Sequence, residues 1–447
     1  MSQAQLAARI GRQAQTTGAE WRLRLVWWED WLTRRLHRRL MRPALAAVSI
    51  GRRTLLRRQR VVAVIGSYGK TTTTRAVKLA LGLPDPPWTS DGRNAYAMVA
   101  EQLLRQAHRR RAVIEVGIGA PGQMDHYARA LQPDVVVVTS LGSEHVGMFD
   151  SPEHLRDEKA AMVRRCRPSG TVVLNRDDEA VMTMAQQAPA RVVTYGFHEA
   201  ADVRILQAEV RWPQGLHVRM AVEGRELAAQ TQLLGRSMAY VVAAATAVAW
   251  VAGDDPQAAA EALAPMRPTP GRLQRVDLPQ GGHLLLDHYK SSLETIFTAL
   301  DALAQLPARR RIVVLGPINS PPNPNACYRE VGAHLAQVAH RAILVDVTHK
   351  QWRSYRAGWR SAGGDEAGLE QVGSVMEAVD RLRGGIGDGD VVLIKGRGTQ
   401  KLQRVGLVLA GQTVRCTLRA CPLKLIECED CRLLRRPIKD GTLSAIG

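Results

Sequence analysis

The residue types best suited to chemistry lie in one glycine-rich segment, residues 66–73, which reads GSYGKTTT. An apolar run at 61–65 precedes it and a helical pattern at 75–81 follows, so the local order is strand, loop, helix. Glycines such as Gly66 and Gly69 allow backbone N–H groups to close around phosphate oxygens. The helix N-terminus adds the positive end of its dipole.

A lysine and a threonine extend this phosphate-binding chemistry. In loops of this kind the lysine reaches the β- and γ-phosphates of a nucleotide, and the hydroxyl that follows it binds Mg²⁺. Val64 stands where the Walker pattern has its first glycine, so an ordinary strand-to-helix turn is the alternative. The segment predicts binding of ATP and Mg²⁺ through Gly66, Gly69, Lys70, Thr71 and Thr72.

Composition is that of a globular protein of two or three domains, with 447 residues of which 45% are apolar and 23% charged. The net charge of +19 is uneven, because residues 1–60 hold 14 arginines. No signal peptide is recognisable. The longest uncharged stretch, residues 237–253, predicts a buried helix rather than a membrane span. We therefore expect a cytoplasmic protein.

A basic, tryptophan-rich helix is predicted before residue 60. Its apolar residues recur at three- and four-residue steps and so share one face. Either residues 1–55 contact the inner face of an anionic membrane, or the apolar face packs against the protein's own body. Nucleic acid is disfavoured, since no recognition motif accompanies the charge. The apolar face consists of Trp21, Leu25, Trp28, Leu32, Leu36 and Leu40, and arginines 34, 35, 38, 39 and 42 fill much of the rest.

The tail contains a cluster of four cysteines, Cys416, Cys421, Cys428 and Cys431. Four thiolates so close in sequence can bind Zn²⁺ tetrahedrally, which makes zinc a candidate cofactor. Four residues separate the first pair, instead of the usual two, so free thiols or a redox pair are the alternative.

Continuous apolar runs alternate with helical patterns after the loop, as is typical of parallel strands covered on both faces. Shorter alternating runs over 202–234 predict a small antiparallel patch. The expected fold class is α/β, with a P-loop central domain containing a mostly parallel sheet and a smaller, Rossmann-like C-terminal α/β domain. The expected units are a helical extension at 1–60, the central domain at 61–270, the C-terminal domain at 271–415 and a cysteine-rich tail at 416–447.

Two further side chains follow predicted strands close to the loop. Glu115 ends the strand that begins at residue 112, and His145 comes shortly after the strand at 134–138. Ligand groups in open parallel sheets lie at such strand ends. A carboxylate and an imidazole there could hold a second Mg²⁺, although histidine is an uncommon ligand for this ion.

These motifs together resemble those of the Mur ligases, ATP-dependent enzymes that join an amino acid or dipeptide to a carboxylate through an acyl phosphate. The resemblance rests on the loop, on Glu115-Val116-Gly117, on the turn at 143–145 and on the segment 173–178, which reads VLNRDD. It covers roughly residues 60–410 and is strongest to the branch that adds D-alanyl-D-alanine.

The resemblance implies a role for each matching residue. Lys70 and Thr71 would hold the ATP phosphates and the first Mg²⁺, and Glu115 and His145 the second. Lys159 matches a lysine that many members carry in carbamylated form, with a solvated helix lysine as the alternative. The remaining implied contacts are Asn175, Arg272 and Asp287 to the nucleotide, and Asn94, Lys290, Lys395 and Arg397 to the substrate or nucleotide.

Three departures from the family pattern bear on the substrates. The family's Gly-x-His-Asn-x-x-Asn segment reads GRSMAYV at 235–241, which lacks the adenine-side asparagines. Residues 287–293 read DHYKSSL where the D-alanyl-D-alanine branch has Asp-x-Tyr-Asn-Ala-Asn-Pro, so the amine is expected to differ. Only about sixty residues precede the loop, without the usual UDP-sugar-binding domain.

The sequence therefore predicts an ATP-dependent carboxylate–amine ligase that acts on an acceptor other than the soluble UDP-precursor. One alternative is an amidating ligase that receives ammonia from a glutaminase partner. Another is a non-catalytic nucleotide-binding module associated with a membrane through its basic helix.

Overall fold

The structure is a computed structural model that describes residues 20–84, 94–142, 149–319, 321–421, 423 and 426–438, with side chains from Leu25 onward. Within these ranges two β-sheets, each covered by helices, account for most of the chain. The α/β class expected from the sequence is confirmed.

The first sheet has eight strands in the order β2-β1-β3-β4-β5-β6-β7-β8. Strands β1 to β6 pair in parallel, and β6, β7 and β8 form the predicted antiparallel patch. Valine and isoleucine dominate strands β1 to β5, which are buried on both faces. The strands are β1 (Arg60–Ile65), β2 (Arg111–Glu115), β3 (Val135–Val138), β4 (Thr171–Asn175), β5 (Arg191–Gly196), β6 (Val203–Arg211), β7 (Gly215–Val222) and β8 (Arg225–Thr231).

Helices cover both faces of this sheet and bury two separate hydrophobic clusters. The stretch predicted as a buried helix is confirmed, since it forms α7, a helix of alanine and valine that packs against α2. The helices before the second sheet are α1 (Glu20–Arg53), α2 (Lys70–Ala80), α3 (Ala97–Leu104), α4 (Gln123–Leu131), α5 (Pro152–Arg164), α6 (Glu179–Met182), α7 (Ala239–Val251) and α8 (Pro256–Glu261).

The second sheet has six strands in the order β13-β12-β11-β14-β10-β9, all parallel except β9. Its four central strands match the apolar runs recognised in the sequence. The strands are β9 (Gln274–Asp277), β10 (His283–Asp287), β11 (Arg310–Leu315), β12 (Arg341–Val345), β13 (Leu369–Val372) and β14 (Asp390–Lys395). Its helices are α9 (Leu293–Ala304), α10 (Pro324–Val338), α11 (His349–Ser361), α12 (Val375–Leu382) and α13 (Gln403–Leu409).

Helix α1 packs along α3 and α4, two of the helices that cover the first sheet. Its contact face includes Leu45 and Val48, which belong to a hydrophobic cluster of the central sheet. The buried guanidinium of Arg52 donates hydrogen bonds to the carbonyls of Leu131 and Gln59 at 2.9 and 2.5 Å. The helix is therefore firmly attached at its C-terminal half.

The apolar face predicted for α1 is not the face that it buries. Residues 25, 28, 32, 36 and 40 of that face are all exposed, so the expectation that it packs against the protein's own body is wrong for them. The side chain of Trp21 lies outside the described residues. No helix in the described part of the chain is long and apolar enough to cross a bilayer.

The segment after α13 has neither helix nor strand from Gly411 to Ile438 in its described residues. Its buried leucines, among them Leu418 and Leu433, pack against Val26 of α1. On the other side, Arg404 of α13 donates to the carbonyls of Cys416 and Leu418. The tail thus lies between α1 and the second domain, which consists of the second sheet and its helices.

Candidate active site

The glycine-rich segment forms the turn between β1 and α2. Gly66 has φ 141° and Gly69 has φ 80°, conformations that favour glycine. A Cβ atom on Gly66 would lie 2.1 Å from the Thr139 hydroxyl oxygen and 3.0 Å from the Ser140 carbonyl oxygen. The loop backbone therefore lies directly against the end of β3, where the Ser67 N–H donates to the Ser140 carbonyl at 2.7 Å.

Lys70 begins α2, and its ammonium donates to the carbonyl oxygens of Gly66 and Ser67 at 2.9 and 2.8 Å. Burial lowers its pKa to about 8, with the Glu115 carboxylate opposing this shift and Arg272 adding to it. The Lys70 ammonium is thus held inside the loop that precedes this residue, and it loses its charge at mildly alkaline pH.

Three oxygen- and nitrogen-bearing side chains converge beside the loop. The Thr71 hydroxyl donates to Glu115 Oε1 at 3.1 Å, and the Asn94 amide donates to the same oxygen at 2.6 Å. Asn94 follows the undescribed segment 85–93, and Glu115 ends β2. A hydroxyl and a carboxylate at this separation are donors of the hard type that Mg²⁺ prefers, so the described residues fit this ion.

Lys159 is a buried lysine on α5, with 2% of its surface exposed. Its Nζ donates to the Ser67 hydroxyl at 2.7 Å, which places it directly behind the loop. Burial and the nearby Lys70 hold its pKa well below its usual value, against the pull of Asp178. The alternative of a solvated helix lysine is excluded by this burial.

The second domain contributes a second cluster of charges. Asp287 at the end of β10 and Lys395 at the end of β14 are register partners, and their side chains form an ion pair of 2.7 Å. Lys395 Nζ also donates to the Lys290 carbonyl at 2.6 Å. Just beyond the boundary between the sheets, the Arg272 guanidinium lies 4.7 Å from the Tyr289 ring.

A cleft of about 500 Å³ between the two sheets brings most of the predicted site residues together. Arg397 is exposed and does not line it, so its predicted role there is not supported. His145 lies outside the described residues. The predicted residues that line the cleft are Gly66, Gly69, Lys70, Thr71, Thr72, Asn94, Glu115, Lys159, Asn175, Arg272, Asp287, Lys290 and Lys395.

Two residues that line the cleft, Tyr68 of the glycine-rich segment and Tyr240, were given no role from the sequence alone. The Tyr68 hydroxyl donates to Glu294 Oε2 at 2.9 Å, which links the loop to α9 of the second domain. No sequence pattern could have paired these two residues. Tyr240, by contrast, lies in the departing segment 235–241, and its bulk could have suggested a binding role.

One end of the cleft, at Tyr240, adjoins a group of aromatic side chains. A neighbouring hollow of about 550 Å³ shares Tyr240 with it. The rings of Phe197 and Tyr240 meet edge to face at 5.4 Å, and the Arg236 guanidinium lies 4.5 Å from the Phe197 ring. The Tyr240 hydroxyl donates to Asp177 at 2.8 Å. This end therefore offers flat surfaces instead of asparagine amides.

The tail cysteines give no support to the predicted zinc site. Cys416, Cys421, Cys428 and Cys431 are free thiols. Among the residues that the structure describes, no group of three or more His, Cys, Asp or Glu side chains is arranged to hold a metal. Burial raises the pKa of Cys428 to about 12, so this thiol is protonated at neutral pH in the absence of a metal.

Two family models match the chain, the Mur ligase middle domain over residues 64–249 and the Mur ligase, glutamate ligase domain over 271–398. The UDP-N-acetylmuramoyl-L-alanyl-D-glutamate–2,6-diaminopimelate ligase of Geobacillus thermodenitrificans is 27% identical over 375 residues, which are 78% of this chain and 76% of the relative. The UDP-N-acetylmuramate–L-alanine ligase of Halorhodospira halophila is 31% identical, over 59% of this chain and 54% of the relative.

Solved structures share the fold at lower identity. MurF from Acinetobacter baumannii superposes with a TM-score of 0.72 at 20% identity, covering 82% of this chain and 80% of that protein. MurF ligase from Thermotoga maritima in complex with ADP gives a TM-score of 0.65 at 19% identity, covering 82% of each chain.

The close approach of Gly66 to β3 generates a prediction on stability. Gly66→Ala should lower the free energy of unfolding by about 3 kcal/mol, because its Cβ would collide with Thr139 and the Ser140 backbone. Gly82→Ala is the matched control: Gly82 also has positive φ, but a Cβ there meets nothing within 4 Å. It should cost about 1 kcal/mol. Urea denaturation followed by circular dichroism measures both, and equal losses would contradict the prediction.

Proposed function

This chain belongs to the Mur ligase family, and from that premise we propose that it uses ATP to join a carboxylate to an amine. The observation that carries the proposal is the convergence of Lys70 and Arg272 on one cleft, although they come from different domains. Two cations beside a phosphate-binding loop suit a reaction in which negative charge must be neutralised.

The proposed chemistry has two steps. An oxygen of the acceptor carboxylate attacks the γ-phosphorus of ATP, the bond from phosphorus to the β–γ bridging oxygen breaks, and ADP leaves. The amine nitrogen then attacks the carbon of the acyl phosphate, and inorganic phosphate leaves as the amine loses a proton. Lys70 and Arg272 would hold the transferred phosphoryl group, with the loop N–H groups around the β-phosphate.

Thr71 and Glu115 are the described residues that would hold Mg²⁺, which when bound neutralises phosphate charge. The Asn94 amide, bonded to Glu115 Oε1, would keep that carboxylate oriented toward the loop. Asp287 and Lys395 would position substrate groups from the opposite wall, where their ion pair fixes both side chains.

Lys159 would act as a carbamate. Its lowered pKa favours the uncharged amine, which is the form that adds CO₂ by forming an N–C bond and losing one proton. The resulting carboxylate would lie next to Ser67, because the Nζ is 2.7 Å from that hydroxyl. It would place a negative charge close to the Lys70 ammonium.

The aromatic end of the cleft would receive the nucleotide base. Phe197 and Tyr240 present ring faces and edges, and Arg236 adds a planar cation, so stacking would replace the asparagine contacts. Stacking is tolerant of base identity. We therefore expect weaker discrimination between ATP and GTP than amide hydrogen bonds would provide.

The ligase proposal is tested by measuring ADP and phosphate release with a panel of carboxylate acceptors and of amines, including amino acids, dipeptides and ammonia. Release should require one acceptor and one amine. Lys70→Ala should lower the rate by at least about a hundredfold, because a cation at the phosphates is lost. Lys350→Ala, at an exposed lysine in α11, is the matched control and should retain activity. No stimulation by any pair would refute the proposal.

The carbamate predicts a signal in ¹³C NMR. Protein incubated with ¹³C-bicarbonate should show a carbamate carbon that is absent from Lys159→Ala and retained in Lys350→Ala. The wild-type rate should fall when CO₂ is removed and recover when bicarbonate returns. A signal of equal intensity in Lys159→Ala would assign the carbamate to another amine and overturn this role.

The proposed base site predicts that two substitutions of Tyr240 have different effects on the KM for ATP. Tyr240→Ala should raise the KM for ATP about tenfold with little change in kcat, because a stacking surface is lost. Tyr240→Phe should leave the KM near that of the wild type, since its ring remains and the hydroxyl contacts Asp177. Steady-state kinetics with ATP and GTP measures both. Equal KM values for Tyr240→Ala and the wild type would place the base elsewhere.

A further inference from the structure

Helix α1 carries a continuous stripe of exposed apolar side chains, which we call the α1 stripe. Its members follow one another at steps of three, four or, at the end, ten residues, and so lie along one side of the helix. Their exposed fractions are 59% for Leu25, 43% for Trp28, 47% for Leu32, 45% for Leu36, 51% for Leu40 and 64% for Ile50. These six account for most of the large exposed hydrophobic side chains in the described part of the chain.

The opposite side of α1 holds the stripe in this orientation. Val26 packs on the tail, and Leu45 and Val48 pack on the central domain. Asp30, also on the inner side, is buried and accepts from Arg34 at 2.8 Å. Because the inner face is occupied at positions from Val26 to Val48, α1 cannot rotate to bury the stripe without losing these contacts.

Arginines border the stripe. Arg35 lies over the Trp31 ring at 4.7 Å, and Arg38 lies over the Tyr96 ring at 5.3 Å, so both guanidinium groups are held at the surface. The only described acidic side chains of the helix are Glu29 and the paired Asp30. The exposed arginines of this region are Arg35, Arg38, Arg39, Arg42, Arg53, Arg57 and Arg58.

We propose that the α1 stripe binds an anionic membrane surface, with the helix lying in the plane of the interface. From Leu25 to Ile50 the stripe extends about 38 Å, long enough to insert a row of side chains below the headgroups. The bordering arginines would remain at headgroup level beside lipid phosphates. A second copy of this chain is a poorer occupant, since two such arginine rows would face each other with like charge.

Vesicle co-sedimentation of the full-length protein tests the stripe. The wild type should bind vesicles of phosphatidylcholine mixed with phosphatidylglycerol, and much less those of phosphatidylcholine alone. The variant Leu32→Ser/Leu36→Ser/Leu40→Ser should bind the mixed vesicles at least about tenfold more weakly. The single variants Leu36→Ser and Leu104→Ser form a matched pair, because their leucines are 45% and 50% exposed and only the first lies in the stripe. Only Leu36→Ser should weaken binding.

A second pair of variants tests the charge. Arg39→Gln/Arg42→Gln/Arg53→Gln should weaken binding to the mixed vesicles by about a hundredfold at low salt and less at high salt. Arg204→Gln/Arg329→Gln/Arg353→Gln removes the same charge from exposed positions on β6, α10 and α11 and should bind like the wild type. Equal losses of vesicle binding in the two triple variants would mean that only the net charge of the protein matters, and would overturn the proposal.

Sedimentation velocity without lipid tests the alternative that a second copy of this chain covers the α1 stripe. A wild type that is monomeric and binds mixed vesicles supports the membrane surface. A wild type that dimerises, fails to bind vesicles and becomes monomeric in the triple leucine variant would overturn it in favour of a second copy. Circular dichroism of every variant verifies that α1 and the domains remain folded.

Discussion

The carboxyl ends of β1, β2 and β3 lie at one edge of the first sheet because β1 pairs in parallel with both neighbours. Val64 is opposite Glu115, and Ile65 is opposite Val138. A shift of one residue in the pairing of β1 with β2 would turn Glu115 to the other face of the sheet. The distance between the Thr71 hydroxyl and the Glu115 carboxylate therefore depends on strand register as well as on loop conformation.

The cleft between the two domains is suited to bind negative charge. Lys70 and Lys159 lie on the loop side, and Arg272 and Lys395 lie on the opposite side. Burial lowers the pKa of each of these three lysines, so their positive charges are costly without a counter-ion. Asp287 serves Lys395 in this way, phosphate groups of a nucleotide would serve Lys70, and carbamylation of Lys159 would remove its positive charge.

Much of the fold was predictable because buried parallel strands have continuous apolar runs, such as 61–65 and 391–395. The loop residues were predictable because glycine and lysine at fixed spacing have few other uses. The short strands β9 and β13 were missed, since each has only four residues, of which half or more are polar or charged.

Contacts between distant segments could not be read from the sequence. Tyr68 and Glu294 are 226 residues apart and meet only because the two sheets face each other. The periodicity of α1 predicted an apolar face, but it could not predict whether another segment covers that face. The cysteine spacing suggested a metal, whereas the structure packs these thiols among leucines of the tail.

Helix α1 is attached to both domains, with Val26 on the tail beside the second sheet and Leu45 on the first. Pro43 stands between these attachments and offers no N–H to the carbonyl of Arg39, so the helix is weakest there. A rotation of one domain relative to the other would load α1 between these two attachments, and Pro43 is the position at which the helix would bend most easily.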